Sequence, residues 1–276
     1  MQFLTGAAVE EIPHDSANCP RQGRPSLASL SAPPHTRPMV GALPFARRRL
    51  RVLDNREIEG GGPPANAERG GAAVPALRLL VIERDVPFDA GQLLGLSTDA
   101  TIPPRLYSIA SGEGEANWEL LYTVENKGIL SPRLAELRRG DEILVEGPSG
   151  TFGASVGPAA WVGGGTGVAP FVSLARSGKT RGVHLVHAAA RPWLFYGEVL
   201  FEALLGSAYH RCCPRAEEGD SRYFRGRATT FIERAAKLPL DLPWLLCGGG
   251  DFVVDTRAAL LARGVPYARI LAEVYF

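Results

Sequence analysis

Residues 159–176 read AAWVGGGTGVAPFVSLAR. Ala159 to Val162 is a short apolar run, the length of a buried strand. Gly163, Gly164, Gly165 and Gly167 then surround Thr166. Pro170 stands near the start of a helical apolar pattern of Val168, Phe171, Val172 and Leu174, where its missing N–H costs nothing. The order is strand, bare-backbone turn, helix start. A turn without side chains lets a ligand touch the main chain, and a helix start offers free N–H groups and a partial positive charge. That combination suits a phosphate or pyrophosphate; taken alone, a purely structural turn fits it equally well.

Downstream the rhythm is regular. Strands are expected at 183–190 (VHLVHAAA), in AYHRCCPR, at 243–250 (PWLLCGGG) and in ARILAEVYF, with helices at 195–206, 228–238 and 251–264. With 159–176 this makes five strands and four helices in alternation, a doubly wound parallel sheet. Ligands of such sheets bind outside the carboxyl ends of the strands. The glycine turns after Val162 and after Cys247 both lie at such ends.

Upstream the pattern is different. Strands are expected in RRRLRVLDNREIEG, at 76–85, at 90–97, in RLYSIAS from Arg105, at 117–125 and at 141–147. A single short helix, PRLAELRR, is expected after Ser131 as its cap and is ended by Gly140. Six short strands with one helix describe an antiparallel barrel. The stretch 60–75, GGGPPANAERGGAAVP, reads as an insertion between the first two strands. Residues 1–46 carry seven prolines and no clean hydrophobic period, and read as a disordered extension. The resulting organisation is 1–46 extension, 47–155 barrel domain, 156–276 α/β domain.

Composition narrows the function classes. Of 276 residues, 45% are hydrophobic, enough for a sizeable core, and the net charge of +1 gives no reason to expect nucleic acid or an anionic membrane as partner. Cys19, Cys212, Cys213 and Cys247 form no C-x-x-C pair and no iron–sulfur spacing, so a reducing, cytoplasmic setting is expected and no metal site. Cys212 and Cys213 are expected to face opposite sides of one strand, as are His184 and His187. No apolar run approaches the roughly 20 residues that span a bilayer, and no secretory signal is expected.

Two further stretches bear chemistry. In Arg105-Leu106-Tyr107-Ser108 alternation puts Arg105 and Tyr107 on one face of the strand and Leu106 and Ser108 on the other. Arginine clamps phosphate by two parallel N–H bonds, and tyrosine stacks on flat rings. Lys127-Gly128-Ile129-Leu130-Ser131 is a turn leading into a helix, where backbone N–H groups and the Ser131 hydroxyl suit a second phosphate or serve as a plain cap.

RLYS, KGILS with its short helix, GPSGTF (147–152), GGGTGVAPF (163–171), CGGG (247–250) and EVYF, in this order, resemble the ferredoxin–NADP⁺ reductase family over about 47–276. The resemblance implies an FAD-binding barrel followed by an NADP-binding doubly wound domain. It implies that Arg105 and Leu106 sit at the FAD, with Arg105 on the pyrophosphate, that Tyr107 stacks on the flavin and that Ser108 lies near flavin N5. Gly128, Ile129, Leu130 and Ser131 would hold the pyrophosphate. Thr166, with Gly164, Gly165 and Gly167, would carry the dinucleotide phosphates and approach the flavin. Cys247 and Gly248 would border the nicotinamide, with Glu273 as the acidic group beside it. Either Tyr275 or Phe276 would cover the other flavin face and gate the nicotinamide. Phe252 stands where many members have Met, a change expected only to repack an apolar contact.

Arg191, Arg215 and Arg227 match basic positions that members of the family use for the 2′-phosphate of NADP, although Pro214 replaces the usual Ser or Thr. The implied activity is FAD-dependent transfer of electrons between NADPH and a one-electron carrier, ferredoxin or flavodoxin, through hydride transfer to flavin N5. Two other readings stay open: an NADH-dependent flavin reductase or oxygenase reductase component, and a flavin-binding sensor without turnover.

Overall fold

The computed structural model describes residues 46–58, 76–125, 127–153 and 157–275. The extension expected over 1–46, apart from Ala46, and the insertion over 60–75 lie outside them.

Six antiparallel strands form the first sheet: β1 Arg48–Glu57, β2 Leu77–Glu83, β3 Leu93–Ser97, β4 Arg105–Ser108, β5 Asn117–Thr123 and β6 Glu142–Ser149. Their order is β4-β3-β6-β1-β2-β5. The two outer strands meet just past β4, where Ile109 bridges Leu120 and the Ala110 N–H donates to the Glu119 carbonyl at 2.7 Å. The sheet therefore curls into a barrel. Alternation explains its core: Leu50 and Val52 of β1 point inward while Arg49 and Arg51 stay in solvent. Leu80, Ile82, Leu94, Trp118, Leu120 and Val145 complete the interior. Helix α1, Leu130–Glu136, packs Leu130 and Leu134 into it.

That helix starts earlier than the sequence reading placed it. Ser131 lies inside its first turn and is not its cap; the Ser131 hydroxyl instead accepts the Glu125 N–H at 2.9 Å. Leu130 is buried in the barrel core and opens the helix, so Ser131 falls within it. Its end also differs, with Leu137 extended and Gly140 (φ +98°) serving the turn into β6.

The second sheet is parallel throughout, in the order β11-β10-β7-β8-β9. Its strands are β7 Ala159–Gly164, β8 Val183–Ala188, β9 Tyr209–Cys212, β10 Trp244–Gly249 and β11 Ile270–Tyr275. The helices between them are α2 Ala169–Arg176, α3 Glu198–Leu205, α4 Ala228–Arg234 and α5 Gly250–Ala262. Two of the four are shorter than expected. Gly197 (φ +77°) holds Phe195 to Gly197 out of α3, and Ala235 turns extended at the end of α4. Alternate residues of each strand face opposite layers. Trp161, Leu185 and Leu245 pack towards α2 and α3, while Val162, Val186 and Leu246 pack towards α4 and α5. Cys212 and Cys213 are both buried and belong to different clusters, as expected. The order reverses between β7 and β10, which makes the carboxyl ends of those two strands the topological switch point.

Barrel and sheet share one apolar core. Leu77, Leu79 and Leu121 on the outside of β2 and β5 cluster with Phe171, Val172 and Leu174 of α2. Polar contacts line the same seam. Arg176 pairs with Glu115 and Glu119, Lys179 with Glu113, and the Ser173 hydroxyl donates to the Ser111 carbonyl at 2.6 Å. The barrel strand that carries Ser108 is thus held against the sheet that carries Cys247 and Glu273. Among the described residues no helix is long and apolar enough to cross a membrane.

Candidate active site

The barrel strand β4 runs along a cavity of about 510 Å³. All of Arg105, Leu106, Tyr107 and Ser108 line it, so the two faces expected from alternation meet the same space. Gly128, Ile129, Leu130 and Ser131 form another wall, and Thr166 and Tyr275 reach it from the parallel sheet. Its size lies in the range of cofactor pockets. Arg105 is exposed at the mouth and has no ion pair or side-chain hydrogen bond among the described residues. Tyr107 is half-buried, and burial pushes its hydroxyl up to about 12, so it stays neutral at physiological pH.

At the inner end four side chains from three strands converge. The Ser108 hydroxyl lies 2.8 Å from a Glu273 carboxylate oxygen and 2.7 Å from the Tyr275 hydroxyl. The Cys247 thiol donates to the Tyr275 hydroxyl at 3.2 Å and faces the Glu273 carboxylate at 3.8 Å. The sheet register produces this meeting: Cys247 is paired with Glu273 and Gly249 with Tyr275 across β10 and β11. Burial raises the Glu273 carboxyl to about 6, against the opposing effect of the Ser108 hydroxyl and Cys247 thiol beside it. Burial likewise holds the Cys247 thiol and the Tyr275 phenol well above their usual values, so both stay protonated.

The two glycine turns meet at the switch point beside this cluster. Gly165 has φ +56°, a left-handed conformation that glycine adopts at no cost. At Gly167 a Cβ would stand 2.2 Å from the Cys247 carbonyl oxygen, so the turn after β7 lies directly on the turn after β10.

No family model matches the chain. The reductase component of propane 2-monooxygenase from Rhodococcus jostii is 33% identical over 227 residues, 73% of this chain and 60% of that protein. The flavodoxin/ferredoxin–NADP reductase of Escherichia coli is 35% identical over 115 residues, 38% of this chain and 46% of that protein. The chain thus spans about half to six-tenths of the length of these curated relatives. A ferredoxin NADP⁺ reductase from Neisseria gonorrhoeae, solved with bound FAD and NADP, superposes with a TM-score of 0.69 at 21% identity, over 83% of this chain and 99% of that one. These relatives and structural neighbours are ferredoxin–NADP⁺ reductase-type oxidoreductases; the chain is similar to them in sequence and shares their two-domain fold.

The residues singled out from sequence fall into three groups. Arg105, Leu106, Tyr107, Ser108, Gly128, Ile129, Leu130, Ser131, Thr166 and Tyr275 share the cavity. Ser108, Cys247, Glu273 and Tyr275 form the hydrogen-bonded cluster, and Gly164, Gly165, Gly167 and Gly248 make the turns. Arg191, Arg215 and Arg227 stand apart from the cavity, after β8, after β9 and before α4. Arg191 lies over the Trp193 ring, 5.5 Å from its centroid. Phe276 lies outside the described residues. His187, by contrast, is fully buried, with Nδ1 3.0 Å from the Tyr209 hydroxyl, and takes no part in the site.

Sequence reasoning missed Gly249 and Thr123, which also line the cavity. Gly249 follows Gly248 directly, and Thr123 ends a strand already recognised.

Proposed function

We propose that the chain binds FAD in the barrel cavity and NADPH across the β7–β10 switch point, and passes electrons between NADPH and a separate one-electron carrier of the ferredoxin or flavodoxin type. The observation that carries this reading is the meeting of Ser108 with Cys247, Glu273 and Tyr275 at the inner end of the cavity. A group bound along β4 and a group bound over the glycine turns have that cluster in common.

The cavity residues fit the flavin cofactor. Arg105 has its guanidinium unpaired among the described residues, and its planar fork binds a pyrophosphate through two N–H groups. Ser131 adds a hydroxyl, and Leu106 and Ile129, 39% and 68% exposed, offer apolar surface to an aromatic ligand. Tyr107 offers a neutral ring for stacking. FAD supplies the chemistry when bound: it takes two electrons together from a nicotinamide and releases them one at a time. The residues position the rings and keep water out, and Cys247, fully buried, closes the inner end. Ser108 directs its proton at Glu273, which fixes the orientation of its hydroxyl at the cavity wall.

For the coenzyme, Arg191, Arg215 and Arg227 cluster by topology at the carboxyl ends of β8 and β9 and at the start of α4. Three cations there favour the 2′-phosphate of NADPH. A second reading concerns the acceptor. The match to an oxygenase reductase component covers 227 residues, against 115 for the flavodoxin/ferredoxin reductase, which favours an oxygenase system as the source of the carrier.

The test is anaerobic stopped-flow mixing of the FAD-reconstituted protein with NADPH and, separately, with NADH. Fast bleaching of the flavin by NADPH with a slow response to NADH supports the reading. The reverse preference removes the role given to the three arginines. Persistent yellow with both makes the chain a flavin binder without turnover.

A further inference from the structure

We infer that Phe252 is a positioning residue of the coenzyme crevice: its ring fixes the separation of the two glycine turns and thereby the seat on which the coenzyme phosphates rest. This inference rests on the reading above for the identity of the ligand.

Phe252 is half-buried on the first turn of α5, beside the switch point. A Cβ built on Gly164 would stand 2.7–2.9 Å from three of its ring carbons. A Cβ on Gly248 would stand 2.7 Å from the same ring edge. Real Cβ atoms do not approach so closely, so this ring alone excludes a side chain from both positions. Backbone conformation does not. Gly164 has φ −111° and ψ 117°, which any residue adopts, and Gly248 has no positive φ. The motif therefore divides by cause. Gly165 is glycine for its φ, Gly167 because the Cys247 carbonyl lies against it, and Gly164 and Gly248 because of Phe252.

One ring edge thus touches one glycine from each turn and holds them as a single platform. Gly248 directly follows Cys247, whose carbonyl in turn presses on Gly167. A shift at Phe252 is therefore felt at both turns. An unbranched aliphatic side chain fills this space with three rotatable bonds, whereas the aromatic ring fills it with one rigid plane.

The test is a double-mutant cycle on the FAD-reconstituted protein with Gly164→Ala, Phe252→Ala and their combination. NADP⁺ affinity is read from the perturbation of the flavin spectrum and stability from thermal melting. Gly164→Ala alone is expected to weaken NADP⁺ about tenfold and lower Tm by several degrees, whereas in the Phe252→Ala background it changes affinity less than about twofold. Phe252→Ala alone is expected to raise KM for NADPH about tenfold with kcat within about threefold, and Phe252→Met to recover most of that loss. Phe252→Leu, which keeps bulk without the ring edge, replaces Phe252→Ala in the cycle if the latter fails to fold. Additive effects of the two substitutions in both readouts, or an unchanged KM in Phe252→Ala, overturn the inference. Wild-type protein bleached by neither NADPH nor NADH overturns the functional reading and this inference with it; bleached wild type with additive variants overturns this inference alone.

Discussion

The hydroxyl of Ser108 donates a 2.8 Å hydrogen bond to the carboxylate of Glu273, across 165 residues of sequence and from one sheet to the other. An ionised carboxylate only accepts, so the other protons of the cluster arrange themselves around it. Ser108 gives its proton to Glu273, Tyr275 gives its proton to Ser108, and the Cys247 thiol gives its proton to Tyr275. The four groups form one directional chain that ends on a single buried charge. Cooperative chains of this kind fix side chains more firmly than the same bonds taken singly.

Glu273 makes stability depend on pH. Its carboxyl is raised from 4.5 to about 6 by burial, so the folded chain binds that proton more tightly than the unfolded one. Such a group favours the folded state at low pH and loses that contribution as pH rises through 4.5 to 6. Glu273→Gln removes the titration. Wild type should therefore lose on the order of 2 kcal/mol relative to Glu273→Gln over that window and none above it. Thermal melts of both proteins from pH 4 to 8 check this; parallel curves would show that Glu273 does not titrate there.

Ser108→Ala removes the hydrogen bond that Ser108 donates to Glu273 and that favours its ionised form. The Glu273 midpoint should then move further up, because burial acts with less opposition. Loss of a hydrogen bond to a charged group is worth roughly 1.5–3 kcal/mol, so flavin reduction by NADPH should slow about ten- to a hundredfold while FAD affinity holds. Single-turnover bleaching together with FAD titration of the apoprotein measures both. A variant as fast as wild type would leave Ser108 with a packing role only.

Much of the fold was written in local patterns. Apolar runs ended by glycine turns marked β7 and β10, because those elements end at a bare turn. Residues that serve two cores were harder to interpret. Leu77 and Leu79 face α2 while Leu80 and Ile82 face the barrel interior, so β2, apolar on both sides apart from Arg78, gives no hint that its outer side packs against a second sheet. The seam was invisible for a related reason: Arg176 reads as a helix-end cation until Glu115 and Glu119 are brought to it from the barrel. At the site, residue types pointed to Ser108, Cys247 and Glu273. Their mutual contact depends on the register of β10 with β11, which no local spacing encodes. Ser131 was misplaced because a serine ahead of a helical pattern looks like a cap, whereas Leu130 is needed in the core and carries the helix past it.

Arg176 supplies a test of the seam. It is half-buried and satisfies two carboxylates at once, with one Nε–H donated to Glu115 at 2.6 Å. Removing it strands two like charges side by side. Arg176→Ala should cost about 2–3 kcal/mol and lower Tm by roughly 4–10 °C. Adding Glu119→Gln should recover part of that loss, because one stranded charge is gone. Calorimetry on the two variants checks both statements, and a double variant no better than the single would mean that the cost lies in lost packing of the arginine stem.

In the proposed function, coenzyme choice would rest on Arg191, Arg215 and Arg227. Each charge-assisted bond to a phosphate contributes roughly 1.5–3 kcal/mol, so the triple Ala variant should lose NADPH preference over NADH by about a hundredfold or more, with kcat/KM for NADH nearly unchanged. Steady-state kinetics with both coenzymes at two salt concentrations measures it. Retention of the preference would assign the 2′-phosphate to other groups.

Tyr275 separates ring from hydroxyl. Its ring lines the cavity, and its hydroxyl contacts both Ser108 and Cys247, the two residues given to the reacting end. In the proposed function, a nicotinamide that reaches Cys247 would have to displace it. Tyr275→Phe keeps the ring and breaks the hydrogen-bonded chain, so it should lower stability by about 1 kcal/mol for each lost bond and leave NADP⁺ affinity close to wild type. Tyr275→Ser removes the ring, and NADP⁺ no longer has to displace it; binding should tighten about tenfold or more while turnover falls through slow release. Flavin difference spectra on titration with NADP⁺, alongside kcat, distinguish the two. Equal NADP⁺ affinity in wild type and Tyr275→Ser would mean that the tyrosine does not gate the site, and the contact with Cys247 would then serve the fold alone.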